Sequence, residues 1–298
     1  MALFVFLTQR FLCATIKGKE GEIMSKMLCD MHVHSQSSHD STAPVMQTAQ
    51  ACVEKGIGVL AITDHCDIQL CKEQNILELV RRSFTETEQT AKAFEGKVKI
   101  LKGIEVGEGI WNLGYTAEVL NSFDFDVVIG SVHGVRYEGY FDSYSTIDFS
   151  KMSKAQLSGY MAKYFDEVLE MLHTTSCDIM AHLTCPLRYI NGKYGLGINS
   201  LDYRVQIEKI LDHVVENSIA MEINTSGIGS FYGQLMPEPW IIKRFKEKGG
   251  YLITLGSDAH MSKNVGNGFD MAISLLKSYG FDSYYYFENR KAIRCQFE

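Results

Sequence analysis

Short apolar runs alternate with longer amphipathic stretches from Met27 onward. Seven of the short runs read as strands: Leu28–Val33, Val59–Ile62, Val98–Ile104, Asp126–Ile129, Asp178–Ala181, Ala220–Ile223 and Leu252–Leu255. Between them lie helical patterns at Pro44–Lys55, Ile76–Phe94, Ser153–Thr174, Asp202–Asn217, Pro239–Lys248 and Val265–Tyr279. Strand–helix alternation with apolar strands predicts an α/β protein with a parallel sheet covered by helices. About seven such units fit a closed barrel better than an open sheet. No Pro-rich or Gly/Ser-rich linker interrupts the series, so one domain is expected, and no internal repeat is evident. The aromatic run Tyr284–Tyr286 with Phe287 reads as a final strand or edge packed on the barrel.

Composition narrows the class. At 298 residues the chain can bury one large core, and 46% hydrophobic with 22% charged residues is ordinary for a soluble globular protein. A net charge of −7 argues against nucleic acid as the main partner, because phosphate backbones are met by basic surfaces. It leaves room for a small phosphorylated substrate, since bound metal ions reverse the field inside a pocket. Cys13, Cys29, Cys52, Cys66, Cys71, Cys177, Cys185 and Cys295 form no CxxC pair and read as reduced thiols. Residues 1–26 read as an N-terminal extension, either poorly ordered or the product of a start placed upstream of Met24 or Met27. Their apolar opening lacks the basic residues of a signal peptide and is too short to span a bilayer. The expected location is the cytoplasm, with no membrane partner.

The placement of the histidines carries the chemistry. Seven of the nine stand at or just after the C-terminal end of an expected strand, as do Glu105 and Asp258. In a parallel α/β barrel those ends open onto one face, where active sites form. His32 and His34 are two apart in an extended segment, so both rings point the same way and can grip one ion. His39 follows in the loop; His65, Glu105, His133 and His182 close the next strands, and Asp258 and His260 close the last. Packing gives no reason for histidines to gather at one end of successive strands. Imidazoles with two carboxylates suit Zn²⁺, Mn²⁺ or Fe²⁺ rather than Ca²⁺ or Mg²⁺. Nine donors exceed the shell of one ion, so two or three divalent ions are expected, and three sharing Glu105 as a bridge account for all. His173 and His213 lie away from strand ends and read as structural or surface residues.

Together DMHVHSQSSHD (30–40), ITDH (62–65), GIEVG (103–107), SVHG (131–134), MAHL (180–183), EINTSG (222–227) and LGSDAH (255–260) resemble the polymerase and histidinol phosphatase (PHP) family, in its histidinol-phosphatase branch. The resemblance runs from about Asp30 to Gly280. It implies a distorted (βα)7 TIM-like barrel over residues 27–298 with a trinuclear metal site. It further implies one ion on His32, His34, Glu105 and Asp258, a second on Glu105, His133 and His182, and a third on His39, His65 and His260. The implied activity is metal-dependent hydrolysis of a phosphate monoester, L-histidinol phosphate of histidine biosynthesis, by in-line attack of a metal-bridging hydroxide without a phosphoenzyme. Asp258 and His260 are the candidates to pass a proton to the departing alcohol.

Arg188, six residues after His182, is the candidate phosphate clamp, since guanidinium grips phosphate at two points; the alternative is a surface arginine paired with a carboxylate. The resemblance also expects a second arginine shortly after EINTSG, and Ile228, Gly229, Ser230 and Phe231 stand there instead. That departure weakens the specific substrate and leaves the metal site intact. The segment Gly227–Gly233 reads either as a mobile loop or as a tight chain reversal. Asp64, Asp67 and Glu222 are candidates either to meet a cationic substrate or to support ligand histidines. The rival readings are another small phosphate ester or a nucleic-acid end, a C–N bond hydrolase, and a non-enzymatic metal-binding regulatory protein. Oligomeric state and metal identity are not legible in these residues.

Overall fold

The structure, a computed structural model, describes residues 27–71 and 74–297. The expected extension at residues 1–26 lies outside them. Seven parallel strands run in the order β1 (Leu28–Val33), β2 (Ile57–Ile62), β4 (Lys99–Gly107), β5 (Val127–Ser131), β6 (Ile179–Met180), β7 (Ala220–Asn224) and β8 (Ile253–Gly256), while the short β3 (His65–Asp67) adds to β4. The two outer strands meet. Val33 bridges Ala259, the His34 amide donates to the Ala259 carbonyl at 3.0 Å, and the Asp258 amide donates to the His32 carbonyl at 2.8 Å. The sheet therefore curls into a nearly closed seven-stranded barrel, the single (βα)7 domain that the alternation predicts.

Strands β5, β7 and β8 are buried along their whole length, which explains why they read as unbroken apolar runs. The helices are placed by local signals. Helix α1 (Val45–Lys55) starts after Pro44 and ends at Gly56, whose φ of 70° supplies the left-handed cap. Helix α2 (Ile76–Ala93) is capped by the Asn75 side chain on the Glu78 amide. After α3 (Leu113–Asn121), helix α4 (Lys154–Thr174) opens with a reciprocal Ser153–Gln156 capping box. A three-residue turn α5 (Cys185–Leu187) leads into a wide helical turn at Arg188–Lys193. Helices α6 (Arg204–Glu216), α7 (Pro239–Glu247) and α8 (Phe269–Ser278) complete the cover. All the described helices fall short of the length and apolarity needed to cross a membrane.

Several short elements escape the periodicity. Helix α3 is nine residues long, too short for an amphipathic pattern to stand out. Strand β3 is three residues that resume pairing after Thr63 and Asp64, a length at which alternation carries no information. The aromatic run forms β9 (Ser283–Glu288), which pairs antiparallel with β10 (Lys291–Gln296). Asn289 and Arg290 join them with φ of 50° and 61°, the twist of a two-residue type I′ hairpin. Tyr284 and Tyr286 are buried against the barrel, and the Tyr284 hydroxyl donates to the Met27 carbonyl at 2.6 Å. All described cysteines are free; the Cys29 and Cys295 sulfurs approach to 3.5 Å.

Candidate metal centre

The C-terminal strand ends converge as the parallel topology requires. His32 Nε2 and His34 Nε2 lie 3.1 Å apart at the end of β1, where the β1–β2 register shifts between Asp30 and Val33. Both rings are buried. Asp258, just past β8, sits at φ 51°, a left-handed conformation that Asp tolerates better than most residues. Its Oδ1 lies 3.2 Å from His34 Nε2 and 3.8 Å from His32 Nε2.

Glu105, near the C-terminal end of β4, joins the cluster. Its Oε2 faces His65 Nδ1 at 2.9 Å, His32 Nε2 at 3.4 Å and His34 Nε2 at 3.6 Å. Its Oε1 faces His182 Nε2 at 3.0 Å and His133 Nε2 at 3.1 Å. One carboxylate thus presents an oxygen to each of two groups of imidazoles. The rings of His65 and His260 each stack on His34 with centroids 4.2 Å away.

His39 is placed differently from the other expected ligands. It is exposed at the rim, 5.4 Å from the His65 ring centre, and the neighbouring Asp40 reaches inward instead. Asp40 lies 3.1 Å from His260 Nε2 and 3.5 Å from His65 Nε2. The motif DMHVHSQSSHD put both residues in this loop; only the loop's course decides which side chain turns in. His173 and His213 sit together on the helical surface and bond to the Leu169 and Leu172 carbonyls, away from the cluster.

The outward nitrogens of the rings are held by a surrounding layer. His32 Nδ1 meets Glu222 Oε1 at 2.6 Å, His133 Nδ1 meets Asp67 Oδ1 at 3.0 Å, and His34 Nδ1 meets Ser38 Oγ at 3.1 Å. Glu222 Oε2 also accepts the His182 amide at 2.7 Å. Asp64 accepts from the Ser35 amide and from the Ser35, Ser38 and Ser83 hydroxyls, so it ties the β1 loop to α2. Of the three acids with an open role, Asp64 and Glu222 are committed to support, and Asp67 both supports His133 and lines the cavity.

Further supports are not singled out by their residue types. Asp30 accepts the Ser257 and Gly266 amides, each at 2.9 Å, and so fixes the loop that carries Asp258. Glu108 accepts the His133 and Gly134 amides, and burial, reinforced by the Asp67 charge, pushes its carboxyl up to about 7. The position of Asp30 at the head of its motif is a signal for its role; Glu108 has none in the sequence.

Outward Nδ1–H bonds leave the lone pairs of Nε2 pointing inward on His32, His34 and His133. They converge on one another and on carboxylate oxygens, an arrangement that repels unless positive charge fills it. Glu105 Oε2 is buried and accepts no hydrogen bond from the described residues. Three further facts define the same demand. Burial opposes charging His32, His65 and His133, yet the surrounding carboxylates outweigh it and hold all three well above the ordinary imidazole value. Burial also works against the charge on Glu105, but His133, His32 and His65 keep it well below the usual carboxylate range. Burial, with the His65 and His260 charges, drives His34 down to about 3. This donor set fits divalent cations, which would take the place of the protons. Four triads have donor atoms within 4.8 Å of one another: His32 with His34 and Asp258, His32 with Glu105 and His182, His34 with His65 and His260, and His65 with Asp67 and His133.

Two expected results follow from this electrostatics. A histidine whose folded pKa is raised stabilises the fold below its unfolded value and ceases to do so as pH climbs through the folded value. Metal-free protein should therefore melt at falling temperature as pH climbs above about 6.5, because His32, His65 and His133 lose their protons as pH passes through their raised folded values. Metal should suppress that fall, since its affinity rises with pH. Melting curves with and without chelator across the range check this, and a rising metal-free midpoint would contradict it. The second concerns Glu222→Gln, which removes the charge behind His32. It should weaken metal affinity by about 10- to 100-fold, read as metal retained after dialysis against a graded chelator.

The cluster forms the floor of a cavity of about 660 Å³. Trp111, Tyr144 and Tyr189 contribute to its walls, and Arg188 is the one Lys or Arg among the described lining residues. Arg188 makes no ion pair with a described carboxylate, and its Nη1 donates instead to Ser226 Oγ at 3.1 Å. The Gly227–Gly233 segment is a closed reversal in which the Gly233 and Ser230 amides both donate to the Gly227 carbonyl, at 2.9 and 3.2 Å.

Comparison with known proteins agrees with this architecture. A "Probable histidinol-phosphatase" of Thermotoga maritima is 27% identical over 259 residues, covering 86% of this chain and 94% of that protein. A histidinol-phosphatase of Lactococcus lactis is 28% identical over 260 residues, covering 85% and 91%. The crystal structure of histidinol phosphate phosphatase from Lactococcus lactis, complexed with zinc, L-histidinol and phosphate, superposes with a TM-score of 0.66 at 23% identity, over 90% of this chain and all of that one. The PHP domain itself matches residues 30–226, most of the barrel and all but Asp258 and His260 of the clustered donors. With a nearly closed seven-stranded barrel and imidazoles gathered at its C-terminal rim, this chain belongs to the PHP family.

Proposed function

We propose that this protein is a metal-dependent phosphomonoesterase that hydrolyses L-histidinol phosphate to L-histidinol and phosphate, with residues 27–298 as the catalytic unit. The observation that carries the reading is the Glu105 carboxylate set between two groups of imidazoles on the floor of a cavity that also holds Arg188. The names of the relatives point to the same reaction class and the same substrate.

In this reading His32, His34, Glu105 and Asp258 would hold one ion, Glu105, His133 and His182 a second, and His39, His65 and His260 a third, at which Asp40 already reaches both His65 and His260. When bound, such ions supply Lewis-acid charge at the phosphoryl oxygens and make a nearby water acidic enough to react near neutral pH. Arg188 binds the phosphoryl group and orients it over the floor. Of the two candidates to pass a proton to the departing alcohol, His260, with 29% of its side chain exposed against 11% for Asp258, is the more open to solvent, and it would take that role with two ions bound and its own ring not engaged by a third. Asp67, facing the cavity from beside His133, is placed to meet a cationic substrate.

Among the described residues the cavity wall carries a single Lys or Arg, which suits a small phosphate ester better than a polynucleotide, which needs a track of cations. The test is kcat/KM for histidinol phosphate, a generic aryl phosphate and single-stranded DNA on protein supplied with Mn²⁺ or Zn²⁺. Preference for histidinol phosphate by at least about tenfold supports the reading. Equal turnover of the aryl ester would retain the phosphatase and remove the named substrate.

A further inference from the structure

No arginine follows Gly227 in the sequence up to Phe231, and Arg188 is the one arginine among the described lining residues of the cavity. The segment Glu222-Ile223-Asn224-Thr225-Ser226-Gly227 does something else with that space. Asn224 Oδ1 accepts the Ser226 amide at 3.0 Å and lies 2.7 Å from Ser226 Oγ, which fixes the serine side chain. Ser226 Oγ accepts Arg188 Nη1 at 3.1 Å and lies 3.2 Å from Asp258 Oδ2. A hydroxyl has one proton to give, so it donates to Asn224 or Asp258 while its lone pair receives the guanidinium.

Arg188 is thus held at one end by a neutral oxygen. Its Nε is buried with no hydrogen-bond partner among the described residues, and its guanidinium lies 5.8 Å from the Tyr189 ring centre. A carboxylate in place of Ser226 would hold the arginine equally well but would cancel its charge. A hydroxyl fixes the direction and leaves the charge free for an anion.

We propose that Ser226 is a positioning residue that orients Arg188 toward the phosphoryl group, bound in turn to the Asn224–Asp258 wall of the metal cluster. This rests on the reading above, in which Arg188 meets phosphate. Ser226 is coupled to both Arg188 and Asp258, so the test must separate the two.

The test is a double-mutant cycle read by calorimetric titration of inorganic phosphate into Mn²⁺-loaded protein, with metal content measured for every variant. Ser226→Ala in the native background should weaken phosphate about tenfold, the size expected for losing one hydrogen bond that orients a charged group. In an Arg188→Ala background the same change should move phosphate affinity less than about twofold, because the arginine it serves is gone. Ser226→Thr, which keeps the hydroxyl, should stay near the native value with full metal content. An equal loss in both backgrounds would mean that Ser226 acts through Asp258, and no loss in the native background would mean that it positions nothing; either overturns the proposal. If native protein fails to bind phosphate at all, the phosphatase reading falls instead.

Discussion

Glu105→Gln should lower kcat/KM by about a thousandfold or more and release metal from the chain. Glu105 is fully buried and is the one carboxylate whose two oxygens face separate groups of rings, His32, His34 and His65 on one side and His133 and His182 on the other. Glutamine keeps the shape but removes the charge, and it turns an N–H toward one of the two groups. Several kcal/mol of cation stabilisation vanish with that charge, while the barrel packing around β4 is unchanged. Metal analysis and steady-state kinetics on the same preparation provide the check. Full metal content with native kinetics would show that the five imidazoles do not share this carboxylate as a bridge.

Arg188→Ala should have the next largest effect, a fall of about a hundredfold in kcat/KM for a phosphate ester with metal content unchanged. The side chain touches Ser226 and Tyr189 and none of the cluster nitrogens or carboxylates within hydrogen-bond reach, so its loss leaves the ions in place. Arg188→Lys should recover only part of the loss, because an ammonium is a point charge and cannot reproduce a planar two-point grip. A change of less than about threefold for the alanine variant would remove Arg188 from phosphate binding.

These two residues also mark how far the sequence could be read. Glu105 stood out because it ends an apolar strand within the Gly-Ile-Glu-Val-Gly run, and a carboxylate there has no packing reason. Arg188 was reachable by its distance from His182 and by the family resemblance, not by any local pattern of its own. Its freedom from ion pairs, which makes it chemically useful, depends on a contact with Ser226, 38 residues further along the chain. The division of His39 and Asp40 was out of reach for a similar reason. Both of these adjacent loop residues line the cavity, and which of them reaches the His65 and His260 rings is set by the loop's anchoring through Ser35 and Ser38 to Asp64.

The alternation of buried strands and amphipathic helices dictated the barrel, since parallel strands covered on both faces have few other ways to bury their surface. The same alternation brought the strand-end histidines to one rim, because every strand points the same way. Tertiary structure alone decided the supporting layer: Glu222 behind His32, Asp30 beneath the Asp258 loop, Glu108 on the His133 amide and Ser226 on Arg188. Those bonds join positions far apart in the chain, so no local spacing encodes them. Periodicity reports which way a side chain points from its own backbone, whereas a hydrogen bond depends on where another strand has been brought.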